Sequence, residues 1–137
     1  MRSIPLLLLG ASLVSCTTAP PAPTRTAEKE NRLQQLIAGK VAGTPQSCIP
    51  TISTRSGDMV VIDDQTLAFK AAGGRVYVNR LGTGCDNIGM GNSLVTKQSA
   101  ASSLCRGDIA QLQNLSSGAN VGSCTIGDFV PYSPAGA

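Results

Sequence analysis

Hydrophobic and polar positions change rhythm several times along this chain. Ile4 to Val14 is an apolar run of eleven residues behind a single charge at Arg2. A membrane-crossing helix needs roughly 20 such residues. The run is too short for that, and its place and flanks predict the hydrophobic region of a secretory signal peptide over residues 1–15. Residues 17–26, TTAPPAPTRT, have too little apolar content to repay ordering, and Pro20, Pro21 and Pro23 favour an extended tether. A helical period follows, with Leu33, Leu36, Ile37 and Val41 on one stripe. Thr26 suits its N-cap, and Glu28 and Glu30 suit its first turns. This pattern predicts a short amphipathic helix over residues 27–43, ending near Gly39 or Gly43, with its stripe docked on its own domain.

From Cys48 onward the rhythm is that of strands. MVVIDDQTLAFKA holds two apolar runs separated by the turn-forming Asp63-Asp64-Gln65. Gly73-Gly74 breaks the chain before RVYVNRL, where Val76 and Val78 alternate with Tyr77 and Asn79. SLVTKQ, SLCRGDIAQLQNL and VGSCTIGDFVPY are further strand segments set apart by Ser, Gly and Asn clusters, and the second of them also has partly helical character. Five to seven short strands predict a mainly β fold: a small antiparallel barrel or sandwich over residues 44–133, with a C-terminal tail over 134–137. Phe69, Tyr77, Phe129 and Tyr132 are its aromatics, so Val, Leu and Ile must fill the core. A domain of this size often needs covalent staples.

Four cysteines fall in that domain: Cys48, Cys85, Cys105 and Cys124. None is close enough to another for a CxxC unit, which argues against thioredoxin-like chemistry, haem attachment and a zinc finger. In an oxidising compartment an even count predicts two disulfides. Cys105 and Cys124 would sit out of register across a hairpin turning at Ser117-Gly118, which disfavours that bond. Of the remaining connectivities, Cys48–Cys105 with Cys85–Cys124 is preferred over Cys48–Cys124 with Cys85–Cys105.

A fifth cysteine, Cys16, would spoil the even count. Leu13-Val14-Ser15-Cys16, directly after the apolar run, resembles the lipobox of bacterial lipoproteins. The resemblance implies diacylglycerol in thioether linkage on Cys16, cleavage before it, and acylation of the new amino group. Two or more acyl chains anchor stably where one does not. With Thr17 rather than Asp after the cysteine, the Gram-negative sorting pattern implies the outer membrane, with the domain facing the periplasm.

GTPQSCI, VVIDDQTLAFKAAGGRVYVNRLGTGCDNI, LCRGDI and CTIGDFVPY together resemble a family of small Gram-negative envelope proteins defined as a domain of unknown function. The resemblance spans nearly the whole of residues 43–132. It implies a secreted or lipid-anchored, cysteine-stapled β-rich protein and supplies no catalytic residue.

Net charge narrows the partners. Six basic and six acidic residues lie between Gln46 and Ser133, so the domain has no basic footprint for nucleic acid. The chain has no histidine, which removes Ser-His and Cys-His schemes and the commonest general base. No residue set calls for a cofactor. Asp63-Asp64 with Asp58 or Asp128 is the one conceivable calcium set, though adjacent aspartates in a turn are more often turn formers. Asp108 and Asp128 each follow a glycine and are expected to bond local backbone. Arg106-Gly107-Asp108 spells an adhesion tripeptide within an expected strand, where it is incidental. The glycine-rich GTGCDNIGMGNS lacks any phosphate-cradling spacing. As a loop pinned by Cys85 it is the candidate partner surface, with Asn79, Arg80, Asp86, Asn87 and Met90 as its residues. The expectation is a lipid-anchored, non-enzymatic envelope protein that binds another protein or is structural. The alternative is an inhibitor or accessory factor of an envelope hydrolase that presents this loop.

Overall fold

A computed structural model describes residues 25–51 and 58–136. The expected signal peptide, Cys16 and most of the expected tether lie outside the described residues. The helix is α1 (Ala27–Ile37), and the strands are β1 (Lys40–Ala42), β2 (Cys48–Pro50), β3 (Met59–Asp63), β4 (Thr66–Lys70), β5 (Val76–Leu81), β6 (Asn92–Lys97), β7 (Ser103–Cys105), β8 (Ile109–Asn114) and β9 (Asn120–Pro134).

The main sheet runs β3-β4-β5-β9-β8-β6 with antiparallel neighbours, and β1 joins it beside β9. It curls into a half-barrel, so the mainly β expectation is borne out. β9 organises the sheet through its length. Its first half pairs with β8 along one edge, from Asn120 to Thr125, and its second half with β5 along the other, from Ile126 to Tyr132. The β8-side edge is free beyond Thr125, and there β1 and the Gln46 bridge to Phe129 take it up. β2 and β7 form a separate two-stranded ribbon.

Period-two alternation assigns the two faces. Leu67, Phe69, Tyr77, Leu81, Leu112, Ile126 and Phe129 fill the inside of the curl, where the Phe69 and Phe129 rings meet edge to face at 5.9 Å. The intervening Ile62, Ala68 and Val76 point outward and are covered by Leu33, Leu36 and Ile37 of α1. The helix stripe therefore docks on its own domain. Thr26 caps its first turn by accepting from Lys29 N.

The helix is shorter than the apolar period suggests. Gly39 adopts φ 68°, a left-handed conformation that ends helices. Residues 40–42 then become β1, because the β9 edge offers them a ladder. Val41 leaves the helix stripe and is exposed. At the other end of the chain Pro134 belongs to β9, so the tail begins one residue later than expected. Residues 103–114 are strand on both sides of a turn, with no helical part.

Both disulfides join the preferred pairs. Cys48 and Cys105 face each other directly across β2 and β7. Cys85 lies along β9 and bonds Cys124 with Cα atoms 5.5 Å apart. Cys124 is opposite Ala110, which shows why a Cys105 bond across this hairpin is out of register.

Candidate functional site

One end of the half-barrel gathers the features of the candidate loop. β5 reaches this end at Leu81 and β9 starts from it, so the β3–β4 turn, the loop after β5 and the β8–β9 tip all lie there. The loop is held at several points. Gly82 N donates to Thr125 O (2.9 Å), Cys85 is bonded to Cys124, and Ile88 is buried in the inner core. Ile88 N donates to Asp64 Oδ1 (3.0 Å), and Leu115 N on the β8–β9 tip donates to Gly91 O (2.9 Å). From this pinned base Met90 projects with 76% of its surface exposed. Leu115 beside it is 71% exposed.

Of the five residues singled out for this surface, the structure brings Asp86, Asn87 and Met90 together on the loop, all exposed, with Arg80 exposed on adjoining β5. Asn79 does not belong there. It is fully buried on the inner face, the face its alternation with Tyr77 and Leu81 dictates. β9 bulges at Gly127-Asp128, and the Asn79 amide fills that bulge by donating to the carbonyls of Gly127 (2.7 Å) and Asp128 (3.1 Å). Its role is to satisfy backbone that the bulge leaves unpaired.

Next to the loop lies a cleft of about 220 Å³ between the start of α1, the β3–β4 turn and Asp86. Arg25 closes it. The guanidinium donates to Asp63 Oδ2 (2.7 Å), Glu30 Oε2 (2.9 Å) and Thr66 Oγ1 (2.8 Å). Burial pushes the Asp63 carboxyl up, but the Gln65 N–H, Arg25 and Thr66 outweigh it and hold Asp63 below the usual carboxylate range. Glu30 is also held low, by Gln34 and then Arg25. Sequence reading missed Arg25: no local signal shows that a residue preceding an N-cap will reach a turn nearly forty positions away.

These partners define the chemistry of the aspartates. Asp63 faces Arg25 and Asp64 accepts from Ile88, while Asp128 lies against Arg106 at 3.2 Å. The imagined calcium set is thus dispersed, and no group of acidic or sulfur ligands that could hold a metal occurs among the described residues. Asp108 is buried and accepts from Ser99 N (3.0 Å), Ser99 Oγ and Cys105 N (2.8 Å). Its carboxylate ties the turn between β7 and β8, so the Arg106-Gly107-Asp108 tripeptide does not display its acid. Burial again works upward on Asp108, and the bonds from Ser99 and Cys105 keep it below the usual range. Every carboxylate shift resolved among the described residues favours the ionised form.

No family model matches this chain, and no curated protein or solved structure is significantly similar to it.

Proposed function

We propose that this chain is a lipid-anchored protein of the Gram-negative envelope, held to the outer membrane through acyl chains on Cys16. It acts by contact rather than by catalysis, as a structural or binding module. The observation that carries the contact reading is the loop at one end of the half-barrel. It is fixed by a buried disulfide and a buried Ile88, yet it presents an unbonded apolar side chain, Met90, to solvent. A loop held at this many points displays a surface at little ordering cost, as preorganised contacts do. The carboxylates support the same reading, because Asp63 and Asp108 are each committed to several internal donors. The anchor reading rests on Leu13-Val14-Ser15-Cys16 following a short apolar run.

The experiment is membrane fractionation of the native protein and of a Cys16→Ser variant. The native protein is expected in the outer-membrane fraction and the variant outside it. Equal distribution of the two would remove the anchor. For the contact reading, Met90→Asp is expected to abolish the biological effect of the anchored protein while its level and its disulfides stay unchanged. Retention of that effect would remove the loop from the account.

A further inference from the structure

The end of the half-barrel that carries the loop is also the end at which the described chain begins. Arg25 is fixed there by Asp63, Glu30 and Thr66, and Asp86 of the loop lines the same cleft. Cys16 is nine residues upstream of Arg25, so the covalent chain between them spans at most about 30 Å. If Cys16 is anchored, this end is held within that distance of the lipid.

Among the described residues, this end displays the most exposed large apolar side chains other than Val41. Met90 is 76%, Leu115 71% and Val121 54% exposed, and the Leu115–Gly91 hydrogen bond makes the first two neighbours. Val121 follows Asn120 at the start of β9, on the same β8–β9 tip. Charge at this end is nearly balanced: Lys29, Arg32 and Arg80 stand against Glu28, Asp64 and Asp86, and Arg25 is closed on both Asp63 and Glu30, which leaves one acid in excess. Such an end has no basic patch and suits an interface that rewards apolar contact.

From this juxtaposition we infer that the Met90–Leu115 end rests on the lipid surface, with Met90, Leu115 and Val121 entering the headgroup region. The inference depends on the Cys16 anchor and deepens it by naming what the contact end meets. A few exposed apolar side chains would not retain a free protein on a bilayer. On a tethered one the contact is intramolecular, and a high effective concentration makes a weak contact sufficient. The contact orients the domain: the sheet end with β1 and Val41 points away from the membrane, because Ala42 pairs with Tyr132 opposite the start of β5. Because the end has no basic patch, binding does not depend on anionic lipid.

The chain contains no tryptophan, so one introduced residue is a unique reporter. Full-length lipidated protein carrying Met90→Trp, Leu115→Trp or Val41→Trp is reconstituted into phosphatidylcholine vesicles containing lipids brominated on the acyl chain. All three positions are exposed, and retained disulfides and an unchanged far-UV spectrum verify each fold. Expected are blue-shifted emission and quenching several-fold stronger at positions 90 and 115 than at 41, unchanged by adding phosphatidylglycerol or salt. Vesicle-bound protein with equal, weak quenching at all three positions overturns the lipid contact and leaves the anchor intact. Protein that does not float with vesicles and lacks the acyl mass overturns the anchor, and the contact with it. In cells, a photocrosslinker at position 90 is expected to give lipid adducts. A single defined protein adduct instead overturns the inference, and a hydrolase adduct supports the inhibitor reading.

Discussion

Asn79 and Gly127 are joined by reciprocal hydrogen bonds: Asn79 Nδ2 donates to the Gly127 carbonyl at 2.7 Å, and Gly127 N donates back to Asn79 Oδ1 at 3.3 Å. This pair stitches the point where β9 bulges and bends from its β8 partner to its β5 partner. The amide is fully buried, so removing it leaves polar backbone unpaired as well as a cavity. Asn79→Ala is expected to cost about 2–4 kcal/mol. Urea unfolding of the oxidised protein measures it. A change below about 0.5 kcal/mol, the range of surface substitutions, would show that the bulge does not need the amide.

The two disulfides differ in access. Cys48 is exposed and Cys105 half-buried, whereas Cys85 and Cys124 are both buried. Exchange with an external thiol needs access to a sulfur. Under limiting reductant, Cys48 and Cys105 are expected to be alkylated first, with Cys85 and Cys124 labelled only as the fold opens. Peptide mass mapping over time reads the order, and simultaneous labelling would contradict it. Chain-entropy arguments put the loss from a Cys85→Ala/Cys124→Ala variant at about 4 kcal/mol.

Asp108 predicts an acid limit to stability. Its carboxyl is lower in the folded protein than in the unfolded chain, because the bonds from Ser99 and Cys105 outweigh burial. A lowered folded value contributes stability that is full above the unfolded value of about 3.9 and is lost as pH falls through the lower folded value. Asp63 contributes in the same direction through Gln65, Arg25 and Thr66. Stability measured from pH 6 down to pH 2 is expected to fall mainly below pH 4. Asp108→Asn should lose stability near neutral pH and show a shallower acid slope. An unchanged slope would remove Asp108 from the transition.

Gly84 carries the loop past β9 with no room for a side chain. It has φ +107°, and a Cβ on it would lie 2.3 Å from the Ser123 carbonyl. Gly84→Ala is expected to cost roughly 3 kcal/mol or more, through strain together with overpacking. Its thermal midpoint is the measurement. A stable variant with the Cys85–Cys124 bond intact would show that the loop does not hug the strand.

Local pattern made much of this architecture readable. The two-residue turn after Asp63, the break at Gly73-Gly74 and the hairpin at Ser117-Gly118 are written in turn chemistry. The inside–outside alternation of Val76 to Leu81 already puts Asn79 with Tyr77 and Leu81 on one face. A polar residue just ahead of a glycine-rich loop reads as part of its surface, and only the β9 bulge explains the burial of Asn79. Non-local features were hidden for one physical reason. β1 exists because the second half of β9 has a free edge, and Arg25 finds Asp63 only once α1 docks on the outer face. The apolar period that drew Val41 into the helix does not register a competing ladder. At the candidate surface, glycine content and Cys85 marked the loop. Leu115, its apolar neighbour, carried no signal, since only the fold brings it beside Gly91.

The most direct test of the account is the mass of the mature N-terminal peptide released from purified outer membrane. A chain beginning at Cys16, with diacylglycerol on sulfur and a third acyl group on the amine, is the predicted result. A free Cys16 thiol, or an N-terminus upstream of it in the membrane-associated protein, would contradict the account.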